Sequence, residues 1–246
     1  MTAHTPTDTP IPLCDAPVDQ PLILHAIHDR RLALQLEKIG LSANSRLTRL
    51  DETLTLRTIR VESASGQAIL SGGMGLKTII HLDDGRRLPL MDMEVGQSGH
   101  IEGTTGGRSL AQILETLGLK EEEPITLIRK LPPMEYRVRL EDNHCVTLSE
   151  GDAARIWGEC GQTYIQFSLA SAHKRFHVVR LLGGHKAQQR LIKASIQPGS
   201  QLILESVRSV QDLCLAPESQ LVINSQDGLH LHLSHEEGKD IFVRLL

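Results

Sequence analysis

The chain has 246 residues, 40% hydrophobic and 23% charged, with a formal net charge of −4, a balance ordinary for a globular protein with an aliphatic core. Aromatic residues make up only 2%: one Trp, two Tyr and three Phe. Few platforms are left for stacking single-stranded nucleic acid or proline-rich peptides, and the negative charge argues against a binder that neutralises phosphates.

Residues 1–18 are rich in Thr, Pro and Asp and read as a flexible tail. They lack the basic and apolar regions of a secretory signal, and no window approaches the roughly 20 apolar residues of a membrane span. Cys14, Cys145, Cys160 and Cys214 form no CxxC pair, so reduced thiols in a cytoplasm are expected, with Cys145 a small buried hydrophobe.

Three segments then share one grammar. The first runs from Arg30 through Leu36 to Gly40-Leu41 and on to Leu47. The second runs from Gly106-Gly107 through Leu110, Ile113, Leu114 and Leu117 to Gly118-Leu119 and Ile125. The third runs from Gly183-Gly184 through Leu191 to Ile196, Pro198-Gly199 and Leu202. Leu41, Leu119 and Ile196 are offset by 78 and then 77 residues, a register that coincidence would not hold twice. The 3 and 4 spacing of the second copy predicts a short helix with one apolar stripe, stopped by Gly118 as Gly40 stops the first. Each copy continues to a strand ending in Leu-Ser: Leu70-Ser71, Leu148-Ser149 and Leu233-Ser234. Ser149…Asp152 and Ser234…Glu237 then fit a capping box, the first with a short acid, while the first copy has Gly72-Gly73-Met74-Gly75, read as a turn. Alternating stretches such as Tyr136–Leu140, Val146–Leu148 and His230–Leu233 predict half-buried strands. One short helix among about five short strands predicts small barrels of SH3-like size, each with a modest core.

Candidate sites are few. His230 and His232 share one face of a strand, because side chains alternate with period two. With His235 and Glu236 just beyond, the group could hold a divalent transition metal, Fe(II) among them; the alternative is a solvent-facing strand with Leu231 and Leu233 turned inward. His81, Asp83 and Asp84 read as a polar hairpin tip, and Gly103–Ser109 as a strand-to-helix turn. Pro132 and Pro133 fix an extended loop from which Met134 and Tyr136 could present apolar surface to a partner. No arrangement of Ser, His and Asp and no carboxylate pair suggests catalysis, so no enzyme is expected.

The Gly183-Gly184, Arg190-Leu191, Ile196, Pro198-Gly199 and Leu233-Ser234…Ile241 pattern resembles the FeoA family. The stretch from Leu90 through Gly96 to Gly99-His100-Ile101 adds the look of that family's opening strand. The first copy departs most, with His28-Asp29 in place of Gly-Gly and Ala43-Asn44 in place of Pro-Gly. The resemblance implies a mainly β chain with short helices, built as three tandem SH3-like small β-barrels of the FeoA and DtxR C-terminal-domain type. Their expected limits are 19–87, 88–160 and 161–246. It also implies a cytoplasmic, non-enzymatic accessory of ferrous iron transport acting on a FeoB-like transporter. The alternative is a metal-responsive sensor module without a DNA-binding domain of its own.

Overall fold

The computed structural model describes residues 9–132, 134–210, 213–215 and 220–246. The first sequence repeat holds β1 (Ile11–Pro12), a 3-10 turn (Leu13–Asp15), β2 (Pro21–Ile27), α1 (Arg30–Lys38), β3 (Arg46–Leu50), β4 (Leu54–Leu56), β5 (Thr58–Ser63), β6 (Gly66–Leu70), α2 (Gly72–Leu76) and β7 (Thr78–Leu82). The second holds β8 (Arg87–Pro89), β9 (Ser98–Thr104), α3 (Gly107–Thr116), β10 (Pro124–Leu131), β11 (Met134–Leu140), β12 (Cys145–Ser149), α4 (Glu150–Ala153) and β13 (Ile156–Cys160). The third holds β14 (Thr163–Gln166), a 3-10 turn (Phe167–Leu169), β15 (Arg175–Leu181), α5 (His185–Lys193), β16 (Gln201–Ser209), β17 (Leu213–Leu215), β18 (Gln220–Ser225), β19 (His230–Ser234), α6 (His235–Lys239) and β20 (Ile241–Leu245).

The strands form three six-stranded antiparallel sheets, the small mainly β architecture expected of SH3-like FeoA-type domains. Sheet 1 has the order β1-β20-β2-β3-β18-β19, sheet 2 β8-β7-β9-β10-β5-β6, and sheet 3 β14-β13-β15-β16-β11-β12. Position by position the three orders correspond. Sheet 2 spans residues 58–131 and sheet 3 spans 134–209, whereas sheet 1 combines strands from residues 11–50 with strands from 220–245. The expected limits at 87/88 and 160/161 therefore fall inside sheets 2 and 3. One sequence repeat carries all six strand positions, but its first three strands close one sheet and its last three close another. The exchange occurs between β10 and β11, which lie in different sheets and do not pair with each other, an intrachain form of strand swapping. Where the first and third repeats make the same crossing, β4 and β17 pair with each other.

Local chemistry explains the elements. The stripe of α3 (Leu110, Ile113, Leu114) is buried, with Leu117 beside it, in the core of sheet 2. Gly40 and Gly118 take φ of +92° and +72° after their helices, and Ser195 holds the same place at +61°. The first copy keeps its turns by other means. The Asp29 side chain accepts from the Leu32 N–H at 2.7 Å and caps α1, and Asn44 takes φ +71° where Glu122 and Gly199 take +63° and +95° in the sister turns. Ser234 and Glu237 form the full capping box; Ser149 caps α4, but Asp152 does not reach back to the Ser149 N–H. The turn expected at Gly72–Gly75 is a short helix, Gly72–Leu76. One expectation is corrected: Cys145 is exposed, because it opens an edge strand.

Candidate metal centre

Sheets 1 and 2 meet edge to edge. The Arg87 N–H of β8 donates to the Gly228 carbonyl at 2.9 Å, just ahead of β19, and the Arg87 guanidinium donates to the Ile39 carbonyl at 2.7 Å. Beyond β8 the chain turns so that Asp92 lies over β19. Leu231 and Leu233 are fully buried in the core of sheet 1, while His232, on the opposite face, is only 1% exposed. Leu231 and Leu233 turn inward, and the opposite face is covered by the neighbouring sheet at His232 but left partly open at His230, whose side chain is 22% exposed.

At this seam His232 Nε2 lies 2.8 Å from Asp92 Oδ2 and 3.3 Å from His230 Nε2, and His230 Nε2 lies 3.5 Å from the same carboxylate oxygen. Glu52, in the link between β3 and β4, brings a carboxylate oxygen 3.8 Å from His230 Nε2. The Nδ1 of His230 donates to Asn224 Oδ1 at 2.5 Å. That bond fixes the tautomer whose Nε2 lone pair faces the cluster, the usual device for orienting an imidazole ligand. Burial pushes the His230 imidazole below its ordinary value, against the nearby carboxylates of Asp92 and Glu52, so it stays neutral at neutral pH. The Nδ1 of His232 is buried without a partner.

Two imidazole nitrogens and a carboxylate oxygen on one face match the donor set favoured by borderline divalent metals. Their separations bracket the edge of about 3.4 Å expected of a tetrahedron with bonds of roughly 2.1 Å. The Asp92 and Glu52 carboxylates lie beside the two imidazoles and supply the negative charge that a cation requires. The residues fit a metal ion.

Of the residues expected at such a site, the structure brings His230 and His232 together and leaves His235 and Glu236 outside. α6 begins at His235, so the period-two alternation ends there; His235 is exposed, and Glu236 pairs with Lys239 at 2.7 Å. Asp92 and Glu52 were missed because they lie 140 and 178 positions from His232 and His230 with no local motif joining them.

The expected partner loop is also corrected. Tyr136 is 3% exposed, and its hydroxyl donates to Glu150 Oε1 at 2.9 Å. Met134 packs on the core of sheet 3, its N–H donating to Glu150 Oε2 at 2.8 Å. Both face a buried joint rather than a partner. Pro132 is half-buried, and Pro133 lies outside the described residues. Glu150 is 4% exposed and also accepts from the Thr58 hydroxyl of β5 at 2.6 Å, tying sheet 2 to sheet 3.

The sequence supplies the remaining clue. Residues 88–160 match the family model described as FeoA domain. The FeoA match begins inside β8 and ends with β13, so it follows the sequence repeat and covers half of sheet 2 and half of sheet 3. Asp92 lies within the FeoA segment; His230 and His232 lie in the third repeat, outside it. No curated protein and no solved structure matches the chain significantly. No described helix is long and apolar enough to cross a membrane.

Proposed function

We propose that this protein is a non-enzymatic accessory of ferrous iron transport that works by contact with a FeoB-like transporter on its cytoplasmic side and holds a divalent transition metal at Asp92, His230 and His232. The observation that carries the reading is the FeoA-domain match at 88–160, supported by the imidazole–carboxylate cluster at the seam of sheets 1 and 2. Co-purification of the full chain with the cognate transporter from membranes tests it. Association that depends on nucleotide or Fe(II) supports the reading, and no association under any of these conditions rejects it.

The metal is tested separately. Anaerobic titration with Fe(II), and with Mn(II) and Zn(II), should show one equivalent fewer in Asp92→Asn and in His230→Gln/His232→Gln than in wild type. Stoichiometry and affinity unchanged in both variants remove the site.

The second reading is a metal-responsive sensor module acting on a separate partner. What favours it is that the cluster takes its imidazoles from sheet 1 and its carboxylate from sheet 2, so an ion there would couple the positions of two sheets. It predicts a partner affinity or oligomeric state that changes with metal and ceases to change in the Asp92→Asn variant.

A further inference from the structure

We propose that the outer face of sheet 2 carries a second, independent divalent-metal site formed by His81, His100 and Glu102. His81 on β7 is the direct cross-strand partner of His100 on β9, so the backbone itself brings the two rings together, with centroids 4.9 Å apart. Between Ile79 and Ile80 the register of this pair shifts: Ile79 faces Gly103 and Ile80 faces Ile101. Glu102 is thus the extra residue of a β-bulge, a device that re-aims a side chain. Its carboxylate oxygen lies 3.4 Å from His81 Nδ1 and 3.7 Å from His100 Nε2, and all three ligand atoms fall within 4.8 Å of one another.

The sister sheets show that the fold does not require this combination. The same bulge occurs in all three: between Leu24 and Ala26 in sheet 1, and between Trp157 and Gly158 on β13 in sheet 3. The positions of His81, His100 and Glu102 are taken by Arg244, Ile23 and His25 in sheet 1, and by Glu159, His177 and Val179 in sheet 3. The bulge is architecture. The full set of two imidazoles and a carboxylate is found in sheet 2 alone.

The His81, His100 and Glu102 side chains are 35%, 33% and 21% exposed, and the Glu122 carboxylate stands 3.8 Å from His100 Nε2 at the rim. This is an open site, with protein ligands on one side and room for solvent on the other, as in metal sites that exchange their ions or bind further ligands. It takes a borderline divalent ion such as Zn(II) or Fe(II), which suits mixed nitrogen and oxygen donors. The proposal does not depend on the buried cluster.

Calorimetric titration of the full chain with Zn(II) tests it, comparing wild type with His81→Gln/His100→Gln and with His230→Gln/His232→Gln. The first variant should bind one equivalent fewer than wild type, with an unchanged melting temperature in the absence of metal. The second should keep that equivalent, whether or not the buried cluster binds. Stoichiometry and affinity unchanged in His81→Gln/His100→Gln overturn the proposal, whatever the wild-type total. Glu102→Gln provides a milder check, with an expected loss of affinity of about tenfold or more; wild-type affinity in that variant also counts against the assignment.

Discussion

Gln166 of β14 joins Ile69 of β6 through both of its backbone groups: its side-chain oxygen accepts from the Ile69 N–H at 2.8 Å, and its side-chain nitrogen donates to the Ile69 carbonyl at 2.9 Å. The side-chain amide thus stands in for a peptide unit where the edges of sheets 2 and 3 meet. Its nitrogen also donates to the Ala154 carbonyl at 2.7 Å, and Gln166 is 1% exposed. Gln166→Leu keeps the volume but leaves those buried backbone groups unpaired, so a loss on the order of 3 kcal/mol is expected. Urea denaturation measures it; a loss below about 1 kcal/mol would show that water replaces the amide.

Glu150 makes the second tie across the same joint, and here the chemistry of the replacement matters. Alanine strands the Thr58 and Tyr136 hydroxyls and the Met134 N–H, and should cost about 3 kcal/mol. Glutamine keeps an oxygen for Thr58 and Met134 and offers an N–H to the Tyr136 oxygen, so its effect should be clearly smaller. Equal losses in the two variants would mean that the negative charge, rather than the hydrogen bonds, holds the joint.

The His230 imidazole is held below its ordinary value of 6.5 in the folded chain, burial being the main cause, with His232 adding to it and Asp92 and Glu52 opposing it. The unfolded chain therefore takes up a proton at a pH where the folded one does not. The stability this group contributes is complete above its unfolded value and is lost as pH falls through that value towards the folded one. The melting temperature should drop as pH falls through the ordinary imidazole value of 6.5, and less steeply in His230→Asn. A metal ion on Nε2 competes with the same proton, so the drop should be larger for metal-loaded protein.

Fragments distinguish the sequence repeat from the folded unit. Residues 58–209 contain sheets 2 and 3 complete and should fold cooperatively with dispersed amide resonances. Residues 88–209, cut at the boundary that the repeat suggests, lack β5, β6 and β7 and should lose the sheet 2 core while β11–β16 stay ordered. Equal order throughout both fragments would mean that β10 refolds onto another partner.

Much of this fold was legible in the residues. Period-two alternation placed His230 and His232 on one face, the stripe of α3 marked its buried side, and Gly40 and Gly118 marked the ends of their helices. Each of those features is decided within a few residues. What was not legible depends on long-range geometry: whether β10 turns back at residue 132 or runs on into the next sheet, and which loop covers β19. Those choices decide that Asp92 joins the histidines, whereas the absence of His235 and Glu236 follows from the local start of α6. Even the apparent loss of Gly-Gly in the first copy was misleading, because Asp29 supplies by side chain the cap that local similarity seemed to lack.

The pairing of β1 with β20 has a consequence for how the chain could be rewired. Ile11 faces Val243 and Pro12 faces Phe242 in the position where β7 continues into β8 and β13 into β14 through short covalent loops. Two of the three equivalent corners are joined by peptide bonds, and the third is closed by hydrogen bonds alone. Linking residue 245 to residue 11 and opening the chain at residues 83–86 or 161–162 would keep every strand beside its present neighbour. Such circular permutants should fold to the same three sheets, since the backbone traces a loop of three arcs in which the place of the break is a matter of covalent connection and not of architecture.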